Sequence, residues 1–316
     1  MKSKFLQALI VLLVLACASG IIRNLFWDKP KKTTASPLLP KSSDTGTITT
    51  TGKPSANLPP SSEAEAPDRP LQEEAPESMR KILDENAPFN ERLSLVNHLS
   101  RNLKEDERRA LYHFLKRGEN NENNHVLKND IINALRDQES PPTELTGVLL
   151  DIFYDKSQDM TMRSYALQHL RPWYQMENMK DPAIVKAFND GADEHSTEIA
   201  GVALLAMSHL AEKNEPGFDS GTVAEKAAAI ANDSTAYELS RISAVGVCGR
   251  LGDKSVLPTI RETVANSTSV TLKMASIAAL GDIGERSDLA LLEKLQSERP
   301  YSVAAKSAIS KLKSKI

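Results

Sequence analysis

The side chains best suited to chemistry in this 316-residue chain are six histidines and two cysteines. His98, His113, His125, His169, His195 and His209 stand singly, and none forms the H-E-x-x-H spacing that turns two imidazoles onto one helix face for zinc. With Cys17 and Cys248 as the two thiols, neither a four-Cys zinc site nor a disulfide scaffold is available. Residues 281–287 (GDIGERS) lack the Lys and the spacing of a phosphate-cradling P-loop. Residues 217–221 (GFDSG) place Ser220 one position late for a nucleophile elbow. No catalytic residue, metal or cofactor is therefore expected. A net charge of -3 and a pI near 6.1 argue against a general phosphate-binding surface, so no nucleic-acid partner is expected.

Two features keep a functional reading. Between Phe153 and Met179 fall five of the 15 aromatic residues, together with Met160, Met162, Met176 and Met179. Arg163, His169, Arg171, Trp173 and Tyr174 are the candidate partner-binding residues there, because Trp, Tyr and Arg anchor interfaces and Met supplies an adaptable surface. The competing reading is a bulkier layer of core. Pro172 is expected to break the helix, which would leave Trp173 and Tyr174 near a turn. Cys17 is the second feature, since Val14-Leu15-Ala16-Cys17 is close to a lipidation box except for Leu15. Cys248, on an apolar helix face, reads as a small core residue.

Three segments must position these residues. Residues 1–27 carry Lys2 and Lys4 ahead of an apolar run from Phe5 that resumes at Ile21, Ile22, Leu25, Phe26 and Trp27. An uncleaved transmembrane anchor, lipidation at Cys17 and signal-peptide cleavage after Ala18 are the three outcomes. Residues 28–76 hold nine of the 17 prolines and no aromatic residue, the composition of a disordered linker. Residues 77–316 form the folded domain, with 30 Lys+Arg against 35 Asp+Glu.

That domain repeats itself. Residues 240–255 (SRISAVGVCGRLGDKS) align with 272–287 (LKMASIAALGDIGERS) at an offset of 32, Gly249 on Gly281 and Gly252 on Gly284. Each block ends in a glycine suited to a helix C-cap, and a second helix follows near Val256 or Leu289. Weaker copies begin near Val126, Met162, Ala200 and Val303, with amphipathic helices between them. Ala244, Ala275, Ala278, Ala279 and Gly246 are expected to let stacked helices approach closely. Acidic residues in the turns (Asp155, Asp159, Asp190, Asp193, Asp233) precede Arg163, Arg241 and Lys273. They read either as Asp–Arg ladders between units or as ordinary N-caps. The closing basic residues Lys306, Lys311, Lys313 and Lys315 read as a polar capping helix or as a contact for an anionic partner.

The Ala-Leu-Gly-x-Ile-Gly-Glu run at 279–285, with Pro258 inside the helix that follows its upstream copy, resembles HEAT repeats, in particular the short HEAT-like repeats also found in phycobilisome lyases. The resemblance implies an all-α fold, an α-solenoid of stacked antiparallel helix pairs, and a scaffold or binding role. It does not imply lyase activity. HEAT-repeat metal oxygenases carry His-Glu dipeptides, and none occurs here.

The expected function is a non-enzymatic scaffold tethered to a bacterial-type cell envelope, its domain periplasmic. It would bind a protein or peptide on a concave face built from the second helix of each pair. A lyase-like or chaperone-like accessory enzyme using His169, Arg171 and Trp173, and a self-assembling structural protein, are the alternatives. The mass and N-terminal residue of the mature protein in membrane fractions will separate the anchor readings: an intact Met1, a lipidated Cys17 or a free Ser19.

Overall fold

A computed structural model describes residues 75–315, and all of the regular structure there is helical. Fourteen α-helices fall into seven consecutive pairs. These are α1 Glu77–Leu83 with α2 Phe89–Asn97, α3 Glu105–Arg117 with α4 Glu122–Arg136, and α5 Leu145–Tyr154 with α6 Met160–Tyr174. Then follow α7 Pro182–Ala192 with α8 Ile199–Glu212, α9 Ser220–Asn232 with α10 Glu238–Leu251, α11 Leu257–Asn266 with α12 Val270–Ile283, and α13 Leu289–Leu295 with α14 Ser302–Lys313. The second helices α2 to α14 form one layer, each packed on the next, and the first helices form the other. The apolar residues between the layers make one continuous core. Among the described residues no helix is long and apolar enough to cross a membrane. The apolar segment 1–27, Cys17 and most of the Pro-rich segment 28–76 lie outside the described residues.

Local sequence explains the helix starts. Asn121, Asp159, Asp181, Asp219 and Ser269 each accept a hydrogen bond from a backbone N–H of the helix they precede. Pro182 then sits in the first turn of α7, where its missing N–H costs nothing. Pro172 does not break α6, which runs through to Tyr174. It stands in the last turn, so the single bond it removes, to the Gln168 carbonyl, lies at an exposed position.

The repeat is phased differently from the blocks the sequence displays. The helix of residues 240–251 pairs with the helix before it, α9, and not with α11. A repeat period defines the unit length but not where a unit begins. The two aligned glycines also end their helices differently. Gly252 adopts φ +77°, and the Asp253 N–H closes onto the Cys248 carbonyl at 3.0 Å. Gly284 is extended, with φ -63°.

Glycine matters most where second helices cross. A Cβ on Gly281 would lie 2.7 Å from Ala308 Cα, and one on Gly249 would lie 3.3 Å from Ala279 Cα. On Gly201 it would lie 2.9 Å from Ser243 Oγ. Gly246, expected from the sequence to serve the same purpose, does not: a Cβ there would meet nothing within 4 Å. It points to solvent, on another side of α10 from Gly249. Gly281→Ala is thus expected to lower stability by about 1–3 kcal/mol through overpacking. Gly246→Ala is expected to raise it by about 0.5–1 kcal/mol through helix propensity. Urea denaturation of the two variants beside the parent checks both signs.

Candidate functional site

The five residues assigned to a partner-binding patch lie in the interior. Trp173 is 0% exposed, Tyr174 2%, Arg163 4%, His169 7% and Arg171 8%. α6 is enclosed by α4, α5, α7 and α8, so nearly every side of it is covered. Each of the five has a structural partner within the chain. Trp173 Nε1 donates to Thr146 Oγ1 at 2.6 Å, and Tyr174 OH to the Pro216 carbonyl at 2.8 Å. The Tyr174 ring packs edge-on against Phe218 at 5.4 Å. His169 Nε2 lies 3.0 Å from Asn129 Oδ1 on α4, and Arg171 Nη1 donates to Gln175 Oε1 at 3.2 Å. Burial, and then the charge of Arg136, holds the His169 imidazole down to about 3, so it is neutral and unsuited to acid–base work near neutrality. The Cys248 thiol, fully buried, is pushed up to about 12 by burial and is inert packing.

Arg163 belongs to a recurrent device. Its Nε donates to the Phe153 carbonyl at the end of α5, 2.8 Å away and ten residues earlier. Arg92 Nε does the same to Ile82 O at 2.7 Å, and Lys128 Nζ to Gly118 O at 2.6 Å, each again ten residues back. A buried cation on the second helix thus caps carbonyls ending the first, where the helix dipole is negative. Each cation then reaches a further group: Arg163 Nη2 to Glu194 at 2.6 Å, Arg92 Nη1 to Asn124 at 2.9 Å, Lys128 to Asn120 at 2.8 Å. Phe153 lies under Arg163 at 5.5 Å, and Phe114 under both Arg92 and Lys128 at 5.4 and 5.6 Å. Burial lowers Lys128 to about 8. Arg92 and Lys128 are absent from the sequence expectations. The usable signal was position, since Arg92 stands fourth in α2 as Arg163 stands fourth in α6.

Cross-pair polar contacts exist, with partners other than those the sequence suggests. Asp190 accepts from Tyr154 OH at 2.7 Å and Asp193 pairs with Lys226 at 2.7 Å. Asp159 faces His125 at 3.1 Å and Asp233 faces His195 at 3.2 Å, while each also holds its own turn. Asp155 bonds within its own turn. Arg241 Nε is buried without a hydrogen-bond partner, and Lys273 stacks over Tyr301 at 4.9 Å. Arg261 clamps the buried Asp288 at 2.7 and 3.0 Å and Glu285 at 2.8 Å, holding the Asp288 carboxyl below its ordinary range. At the closing end, Lys311 pairs with Asp282 at 3.1 Å, and Lys315 donates to the carbonyls of Gly281 and Asp282.

Among the described residues no group of His, Cys, Asp and Glu is placed to hold a metal. A cleft of about 540 Å³ beside α9 is lined by Ser220, Gly221, Glu225, Leu251, Asp253 and Ser255. The outer side of the second-helix layer is one accessible face. Asn133, Gln168, Leu205, Gly246, Ala278 and Ser307 lie there, one from each second helix from α4 to α14; Gln168 and Ser307 are exposed and the other four are partly buried. Beside them run His209, Arg250, Asp282 and Lys311, with Arg250 within 3.7 Å of Glu212.

The family model of HEAT repeats matches residues 224–313, which span α9 to α14. That segment is similar to HEAT repeats, and the seven-pair stack that contains it is consistent with a HEAT-like repeat protein. No curated protein and no solved structure matches the chain. Arg163→Met, which leaves Glu194 unpaired and the end of α5 uncapped, is expected to cost about 2–4 kcal/mol. Arg241→Met should cost under about 1 kcal/mol. Chemical denaturation of both variants tests the contrast.

Proposed function

We propose that the stack is an α-solenoid that works as a non-enzymatic scaffold, binding an extended protein or peptide segment along the outer side of its second-helix layer. The observation that carries this reading is the row from Asn133 to Ser307, which offers one partly or fully exposed position on each second helix from α4 to α14. Second helices meet through close glycine approaches at Gly201, Gly249 and Gly281. Gly246 and Ala278 keep this face low, which suits a partner backbone lying on it. HEAT repeats are a protein-interaction kind of fold, which supports the same reading.

The tether belongs to the proposal. The apolar segment 1–27 would hold the chain at a cell-envelope membrane and residues 28–76 would space the domain from it, on the periplasmic side. Self-association end to end is less favoured, because the terminal helices present polar residues outward: Glu77, Ser78 and Lys81 on α1, Lys306, Ser310 and Lys313 on α14. An accessory-enzyme role would need a convergent pocket, and His169, Arg171 and Trp173 are engaged in core contacts instead.

A photo-crosslinking residue placed at Leu205 or at Ala278 in the native envelope is expected to capture one and the same protein. Ala278→Arg should weaken capture from the Leu205 position at least tenfold, whereas Glu225→Arg on α9 should not. Capture of background proteins alone, or equal loss from both substitutions, would count against the proposal.

A further inference from the structure

The four histidines from His125 to His209 all bridge one helix pair to the next. His125 Nε2 lies 3.1 Å from Asp159 Oδ1, His169 Nε2 3.0 Å from Asn129 Oδ1, His195 Nδ1 3.2 Å from Asp233 Oδ2, and Gln175 Nε2 3.4 Å from His209 Nε2. Two of them meet at one junction, between α4 and α6. Beside it, Gln158 Nε2 in the turn before α6 donates to the Lys116 carbonyl at 2.6 Å, and Lys116 of α3 pairs with Asp151 of α5 at 3.2 Å. The α4–α6 junction has none of the glycine-to-backbone approaches that seat α12 on α10 and α14 on α12.

We infer that the α4–α6 junction is an acid-responsive joint, in which a proton on His169 opens the contact with Asn129. The geometry assigns the tautomer. Asn129 Nδ2 donates to Asp130 Oδ1 at 3.2 Å, which turns Asn129 Oδ1 toward His169 as an acceptor. The neutral ring therefore donates from Nε2. The charged group facing it is Arg136 of α4, so a second proton would set a buried imidazolium beside a guanidinium. His125, the other histidine of the junction, is likewise held below its ordinary value, chiefly by burial, and its Nε2 makes no hydrogen bond. Asp159, at the start of α6, faces it, with Lys128 and Glu122 on its own helix. A proton on His169 pushes the middle of α6 away from α4. α6 and all that follows it then swing on α4, changing the curve of the layer.

The sign follows from burial. In the closed joint His169 is held down to about 3, and in an open one it titrates near its ordinary 6.5. The open state binds more protons between those limits, so each pH unit below about 6.5 multiplies the open population by up to about ten. Hydrogen exchange of the whole protein, corrected for the intrinsic pH dependence, reads this directly. From pH 7.5 to pH 5 the amides of α4 and α6 are expected to lose about 30-fold in protection. Those of α10 and α12 should stay level. His169→Gln keeps a side-chain N–H for Asn129 and should abolish the loss, while His195→Gln should retain it. Asn129→Asp places a carboxylate against the ring and should flatten or reverse the dependence, which decides the matter if His169→Gln does not fold. Protection that is level with pH, that falls equally in every helix, or that falls unchanged in Asn129→Asp or in a folded His169→Gln would overturn the inference.

Discussion

Each of the early helix pairs closes on a cation that has been taken out of water. Arg92, Lys128 and Arg163 sit at most 4% exposed and reach back ten residues to the carbonyls ending the previous helix. A cation so placed would be prohibitive without compensation. Here the carbonyl ends of a helix, an aromatic face and a polar group from a neighbouring turn supply it. This one arrangement fixes the angle at which a pair folds on itself. Where the further contact reaches beyond the pair, from Arg92 to Asn124 and from Arg163 to Glu194, it also sets where the following pair sits.

Farther along, the device changes. From α8 onward the second helices meet through glycine, alanine and serine, and the cation position falls to Arg241 and Lys273, which do not repeat the capping bond among the described contacts. The early half of the stack is therefore specified by hydrogen bonds of defined direction and the later half by closeness of fit. The segment recognised as HEAT repeats, 224–313, lies within the second regime. The polar style of joining upstream leaves little of the Ala-Leu-Gly pattern for a family model to match.

The architecture was largely legible, and where it was not the reasons are physical. The 32-residue offset between Gly249 and Gly281 reveals helical units, but their phase is hidden because the turns on both sides of α10 have the same length, 233–237 and 252–256. Neither turn marks itself as the connection within a pair. Gly246 and Gly249 look alike in sequence, yet three residues along a helix separate a solvent-facing position from a helix crossing. The cluster around Trp173 could be read as a region of unusual texture, but not as interior. Trp, Tyr, Arg and Met are what an interface and a bulky core layer both require, and only the enclosure of α6 distinguishes them. The accessible row from Asn133 to Ser307 was invisible for a simpler reason. Its members share no residue type, and they come together only once six helices are laid side by side.

Because each pair touches chiefly its immediate neighbours, the junctions are connected in series. A pull between the two ends of the chain would load every one of them with the same force, and springs in series extend most at the softest. The hydrogen-bonded contacts between α2, α4 and α6 would then lengthen before the close glycine contacts between α10, α12 and α14. The molecule would behave as a compliant arm carrying a stiff hand, with the compliance nearest the segment that leads toward residue 1.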